Sequence, residues 1–442
     1  MMKKIFPIFV HLFSFSILLS SDNHPKKRFF DRERHAAKIM GREDRKYGDH
    51  SGNRVLCRFY NHGSIGDQSS SFSGVYPIGS GHSYIWEFSP IIAASVVDTN
   101  GFRKHIVSDG ISGLLDASPE GTPWSFEPLE GYANPNQDNL AMSDDAGSWP
   151  NSWPNRTEDW NGEWNGQYGK YVRADQESYF VVDDYYNSEF EFWPDDDDKP
   201  ESIIESPDDH RRGLGIEMEA RGYQWNHPAA EDIIIVTYWI TNVGSSVLDS
   251  VVFGMYGDAD IGGASSFSDD DAWFDTENDM VYQWDHDNWS SSYGGFRPAY
   301  FGWSFLESPG NPHDGIDNDE DGMIDESQFD GIDNDGDWDP ERDDIGSDGL
   351  ADFHINYTGP DDDGTEGNGI PDVGEPNFEI TDNDESDQIG LTSFYSAPYP
   401  SVYPSNDEVM WGQLSPGIFQ VPEQNVDQTF LYGSGYITLQ PG

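Results

Sequence analysis

L-G-I-E-M-E-A-R-G-Y-Q-W-N-H-P-A-A-E-D-I-I-I-V-T-Y-W-I-T-N-V-G-S-S-V-L-D-S-V-V-F-G-M-Y-G-D, residues 214–258, is where the fold becomes legible. Leu214, Ile216, Met218 and Ala220 alternate with Gly215, Glu217, Glu219 and Arg221, the two-residue period of a strand with one apolar and one wet face. Ile233–Ile240 is apolar on both faces, as a central strand is. Asn242-Val243-Gly244 reads as a turn and Val251–Tyr256 as the returning strand, so an adjacent antiparallel pair is expected. Strands at short spacing, with no long amphipathic helix, predict a mainly β protein. Its core is expected to be a β-sandwich carrying long irregular insertions and an acidic loop region.

Working outward, residues 201–305 are assigned to that core and residues 53–117 to an N-terminal β segment. In the latter, Val55–Tyr60, Tyr84–Val97 and Phe102–Ser108 are β-branched or aromatic runs bounded by Gly, Asn and Asp. Residues 118–200 form a Trp-rich loop region or subdomain with one expected strand, Ser178–Val182. Short strands are expected again in residues 391–442, at Leu391–Phe394, Glu408–Trp411, Ile418–Val421 and Phe430–Tyr432. That segment is expected to be truncated. Residues 1–21 have the form of a secretory signal: Lys3 and Lys4 precede an apolar run, Ile5–Leu19, too short to span a bilayer comfortably. Residues 22–52 make a basic leader. The expected location is therefore outside the cell or on its surface, without membrane insertion.

Lys and Arg number 24 against 82 Asp and Glu, a net charge of −58. Nucleic-acid binding needs a basic footprint, so that class is excluded as an expectation. Aromatic residues make up 14% of the chain, too many for a disordered one. A single cysteine, Cys57, rules out an intramolecular disulfide, and metal ions are the natural substitute staple.

The acidic residues are densest in residues 306–390, where D-G-I-D-N-D occurs at Asp314 and again at Asp330. In the first copy Asp317, Asp319, Asp321, the Met323 carbonyl and Asp325 occupy loop positions 1, 3, 5, 7 and 9 around Gly322. That spacing delivers the oxygens a hard cation such as Ca²⁺ takes, and the glycine allows the sharp turn. The second copy offers Asp333, Asp335, Asp337, Glu341 and Asp344, with Trp338 at the turn position. A third loop is built around Gly369, with Asp363, Glu366, Asn368, Asp372 and Glu375 as candidate ligands. Asp258 and Asp260 follow a core strand, and with Asp269, Asp270 and Asp271 they are candidates to close round one further ion. Acidic runs are otherwise plain solvated surface.

Trp149, Trp153, Trp160 and Trp164 are expected to pin loops onto the sandwich; the alternative is a sugar-stacking platform with Glu158, Asp159 and Glu163 nearby. G-x-S-x-G, H-E-x-x-H, P-loop and dinucleotide-binding G-x-G-x-x-G motifs are missing. Arg54 and Arg58 near Cys57 favour a lowered thiol pKa, but a buried structural thiol is the preferred reading.

D-G-I-D-N-D-E-D-G-M-I-D-E resembles the calcium-binding repeats of the thrombospondin type 3 class in bacterial surface proteins. Y-P-I-G-S-G-H-S-Y-I-W at Tyr76, A-D-Q-E-S-Y-F-V-V-D-D at Ala174, Y-W-I-T-N-V-G at Tyr238 and G-M-Y-G-D-A-D-I-G-G at Gly254 are similar to phrases of exported bacterial proteins of the type IX secretion kind. E-G-N-G-I-P-D-V-G-E-P-N-F at Glu366 and D-E-S-D-Q-I-G-L-T-S-F at Asp384 extend the likeness. Gln328 and Trp338 depart from the repeat pattern. The resemblance implies an exported, calcium-stabilised structural or adhesive surface or matrix protein. Its expected partners are calcium ions, and glycans or other surface proteins. The alternative is a carbohydrate-binding module or a component of a polysaccharide-degrading system.

Overall fold

The computed structural model describes residues 9–19, 44–66, 73–112, 116–195, 210–308, 338–376 and 389–442, except 120, 122, 264, 265, 277, 341, 352, 355, 356, 358, 362, 363, 373, 400 and 403. In chain order the strands are β1 (Phe9–Leu19), β2 (Tyr47–His50), β3 (Cys57–Tyr60), β4 (Glu87–Val97), β5 (Arg103–Asp109), β6 (Glu127–Pro128), β7 (Ala141–Met142) and β8 (Gln176–Asp183). Then come β9 (Ile216–Gln224), β10 (Ile234–Asn242), β11 (Leu248–Asp258), β12 (Asp270–Asp275), β13 (Met280–Asp285), β14 (Tyr300–Glu307), β15 (Ser393–Pro398), the helix α1 (Asp407–Leu414) and β16 (Gln428–Leu439). The protein is mainly β.

Nine strands make one sheet, in the order β12-β13-β14-β1-β10-β9-β8-β6 with β7 also on β8; β15-β16-β11-β4-β5 make a second, and β2-β3 a hairpin. Aromatic side chains bridge the two large sheets. Phe88 of β4 lies 4.3 Å from Trp303 and 5.2 Å from Phe301 of β14, ring centre to ring centre, and Phe305 lies 5.7 Å from Tyr432 of β16. Each such pair adds about 0.5–1.5 kcal/mol beyond the area it buries. The chain divides into two compact units, residues 1–308 with 390–442, and residues 309–389.

β10 and β11 do not form the expected pair. β10 runs antiparallel to β9 and parallel to β1. β11 lies in the other sheet, antiparallel to β4 and β16. Both edges of each strand are taken, so the short connection crosses between sheets. Tyr238 and Phe253 meet across the sandwich with their rings tilted at 43° and their centres 5.5 Å apart. Asn242 sets the crossing: its amide nitrogen donates to the carbonyls of Ser246 (2.8 Å) and Leu439 (3.1 Å), and its side-chain oxygen accepts from the Gly244 N–H (3.0 Å).

The polar face of β9 is not wet either: Glu217, Glu219 and Arg221 are buried. The Trp-rich region covers them. The Tyr179 hydroxyl donates to Glu219 (2.6 Å), and Arg221 donates to the Asn165 carbonyl (2.6 Å) while lying 3.8 Å from the Tyr179 ring centre. Glu408–Trp411, read as strand, belongs to α1. The Asn406 side chain accepts from the Val409 N–H at 3.1 Å and caps the helix, with Asp407 and Glu408 in its first turn. Ile418–Val421 is not a strand; only a bridge from Phe419 to Phe394 forms there.

Residues 9–19, inside the expected export signal, form a strand that runs parallel to β10 on one side and β14 on the other.

Candidate metal centre

β11 ends at Asp258, flanked in register by Glu87 of β4 and Thr429 of β16. The chain turns there, bringing Asp260 back, and the next strand of the same sheet starts just after Asp427. A bridge between Asp270 and Val426 ties that corner to β12. Asp258, Asp260 and Asp427 converge, each offering an oxygen within 4.8 Å of the others'. No side-chain hydrogen bond or ion pair reaches these three carboxylates among the described residues. Asp270, fully buried, points one oxygen at the Ile261 N–H (3.1 Å) and leaves Oδ1 without a partner.

Burial raises the pKa of Asp258 well above its ordinary value, and Asp260 and Asp427 push it further. Asp260 rises to about 7 by burial and then by the Asp427 charge. Asp270 is likewise raised by burial, against the pull of the Ile261 N–H. Neighbouring Glu87 is different, because its Oε1 accepts from Ser64 (3.1 Å), Ser89 (3.1 Å) and both the N–H and hydroxyl of Ser112. Glu87 is thus a structural clamp, whereas the Asp258 group lacks a compensating side-chain donor among the described residues. An all-oxygen set of this charge suits a hard divalent cation.

Asp269, Asp270 and Asp271, expected to act together, are divided: Asp269 ends a 3-10 turn, and the pleat of β12 sends Asp270 and Asp271 to opposite faces. Asp270 faces the Asp258 group. Asp269 joins Asp285 and Asp287 in a second acidic group, where Asp285 accepts from Ser266 (2.7 Å) and from the Trp289 N–H (2.6 Å). Asp271 lies 2.9 Å from His286 and accepts from the Asn425 N–H at 2.8 Å. Asp427, Asp285 and Asp287 were not singled out in the sequence. Asp427 lies far along the chain, and only the pairing of β16 with β11 brings it in.

Asp317, Asp319, Asp321, Met323, Asp325, Asp333, Asp335, Asp337, Glu341 and Asp363 lie outside the described residues. Of the other candidate ligands, Asp344 accepts from the N–H groups of Gly367 (2.6 Å), Asn368 (3.2 Å) and Gly369 (2.8 Å), so it clamps the third loop. Glu375 is buried and accepts from Trp338 Nε1 (3.0 Å) and the N–H groups of Gly346 (2.8 Å) and Asp372 (3.1 Å). Glu366 accepts from the Tyr357 hydroxyl at 2.7 Å, and Asn368 donates to Asp372 at 2.6 Å. Trp338, the departure from the repeat, is an anchor that holds Glu375.

The tryptophans are packed. Trp153 and Trp164 are buried with Tyr132, Ala141, Tyr179 and Val181, and Trp149 and Trp160 pack against this cluster. Trp164 Nε1 donates to Glu177 at 2.6 Å. Arg156 lies 4.3 Å and Lys170 5.4 Å from the Trp160 ring centre, so cations occupy the position a sugar ring would take. Cys57 is buried and its thiol is pushed up to about 12, chiefly by burial. Arg58 is bound to Asp49 at 2.7 Å instead of activating the thiol.

No protein family, curated protein or solved structure matches this chain.

Proposed function

We propose that this chain is an exported, calcium-stabilised structural or adhesive protein, whose β framework is fastened by divalent ions. The observation that carries the reading is the convergence of Asp258, Asp260 and Asp427 at the end of β11, with no side-chain donor or cationic side chain on them among the described residues. Burying like charges this closely is costly unless protons or a cation neutralise them. The net charge of −58 leaves little cationic side chain to do so. The repeated aspartate spacing at Asp317–Asp325 and Asp333–Asp344 supports calcium as the ion, and the apolar run after Lys3 and Lys4 supports export. Removal of residues 1–21 on export would open the edges of β10 and β14 that β1 occupies.

Equilibrium dialysis of the purified chain against micromolar to millimolar ⁴⁵Ca²⁺ tests the assignment. Asp258→Asn with Asp260→Asn is expected to bind one ion fewer than the parent chain. Equal binding by both would remove the Asp258 group from the account.

A further inference from the structure

A second meeting of carboxylates lies at the free edge of β5. Among the described residues that strand pairs with β4 alone, so alternate N–H groups along its other edge meet no strand there. The first turn of α1 takes their place. Asp407 Oδ2 accepts from the Val107 N–H at 2.8 Å, and Glu408 Oε1 from the His105 N–H at 3.3 Å. Behind them Met410 and Leu414 sit in the same apolar cluster as Ile91, Val107, Val252 and Leu431. The loop after β8 closes over this edge, with Asn187 donating to the Val107 carbonyl at 2.9 Å.

Three carboxylates from these separate segments meet: Asp116, Glu189 and Asp407 each place an oxygen within 4.8 Å of the others'. Asp407 Oδ2 is held by Val107 and Glu189 interacts with Asp407 through a side-chain hydrogen bond, but most of their oxygens are left unsatisfied. Both oxygens of Asp116, Oε2 of Glu189 and Oδ1 of Asp407 are buried without a hydrogen-bond partner. A fourth buried carboxylate lies beside them: Asp109, 1% exposed, accepts from the Ile111 N–H at Oδ1 (2.7 Å) and leaves Oδ2 unpartnered, while its charge acts on both Asp116 and Asp407. None of the four is in an ion pair among the described residues. Arg45, whose charge reaches Asp109, is bound to Glu127 at 2.8 Å and Ser125 at 2.9 Å.

We infer that Asp116, Glu189 and Asp407, with Asp109 beside them, bind a hard divalent cation that latches α1 and the loop after β8 onto the edge of β5. The donor set is oxygen only, with no His or Cys, which selects a calcium- or magnesium-like ion over zinc. Burial raises both Asp116 and Asp109 above the ordinary carboxylate range, as it does where no cation balances the charge. The site shares only its kind of ion with the proposed function; its residues are distinct from the Asp258 group.

Calcium stoichiometry by equilibrium dialysis, with hydrogen exchange of residues 407–414, tests the inference on the full chain. Glu189→Gln and Asp116→Asn are the informative variants, because neither side chain clamps a backbone N–H; Asp407→Asn also removes the contact to Val107. Each is expected to lose one bound ion and the calcium-induced protection of α1, while Asp258→Asn with Asp260→Asn loses an ion but keeps that protection. Unchanged stoichiometry in Glu189→Gln and Asp116→Asn, with α1 equally protected in calcium and chelator, would overturn the site and show a shared proton only. If the parent chain binds no calcium, this inference and the calcium reading of the Asp258 group fail together. If only the Asp258 variant loses an ion, this inference fails alone.

Discussion

Asp183 shows one way this protein balances a buried acid: Arg211 grips it with two hydrogen bonds of 2.9 and 2.6 Å. Asp116, Asp258 and Asp260 have no such partner, and that contrast sets their response to pH. Asp260 and Asp116 titrate near 7 and 8 in the folded chain, against 3.8 for the ordinary group. In chelator the folded state therefore binds more protons than the unfolded one between roughly pH 4 and 8. The stabilisation from these protons is complete below about pH 4 and is lost as pH rises through the folded values. The melting temperature in chelator is expected to fall from pH 5 to pH 8, and calcium is expected to flatten that slope. A melting temperature that rises over this range in chelator, and equally in Asp116→Asn with Asp260→Asn, would refute the assignment. Asp258 and Asp260 were visible in the sequence because they follow a strand. Asp427, Asp116, Glu189 and Asp407 were not, since residues so distant in sequence meet only through sheet pairing for Asp427, and through the packing of α1 and the loop after β8 on the edge of β5 for the others.

The strands of the core were legible as apolar runs, but their partners were not. Periodicity marks which face of β9 is polar without saying what covers it, and the covering layer is the Trp-rich region. Likewise a short loop is compatible with a hairpin or with a crossing between sheets, and β10 and β11 take the crossing because each already has two neighbours. The helix α1 was misread because four residues with apolar character carry no decisive period, and the signal lay in its cap, Asn406. The Trp layer makes a direct prediction. Trp164 is 2% exposed and bonded to Glu177, so Trp164→Ala is expected to cost about 3–5 kcal/mol in urea unfolding. Trp160, held at the surface by Arg156 and Lys170, is expected to cost roughly 1 kcal/mol or less when changed to Ala. Equal, small losses at both positions would mean that the layer is not a packed core.

Across the whole chain, 82 acidic residues against 24 basic ones leave a molecule whose compactness is opposed by its own charge. Three acidic groups among the described residues gather carboxylates closely enough to share an ion, and the aspartate repeats add further candidates in sequence. Extracellular calcium modules bind with dissociation constants of roughly 10⁻⁴ to 10⁻³ M. At free calcium 10 to 100 times that value, each occupied site adds about 1.4 to 2.7 kcal/mol. Two or three sites then rival a large part of a domain's net stability of roughly 5–15 kcal/mol. The most direct measurement is thermal unfolding of the purified chain in calcium and in chelator, at constant ionic strength and pH 7.5. A higher melting temperature in calcium is predicted, with most of the gain lost in a chain carrying Asp258→Asn, Asp260→Asn and Glu189→Gln. Superimposable melting curves in calcium and chelator would contradict the account.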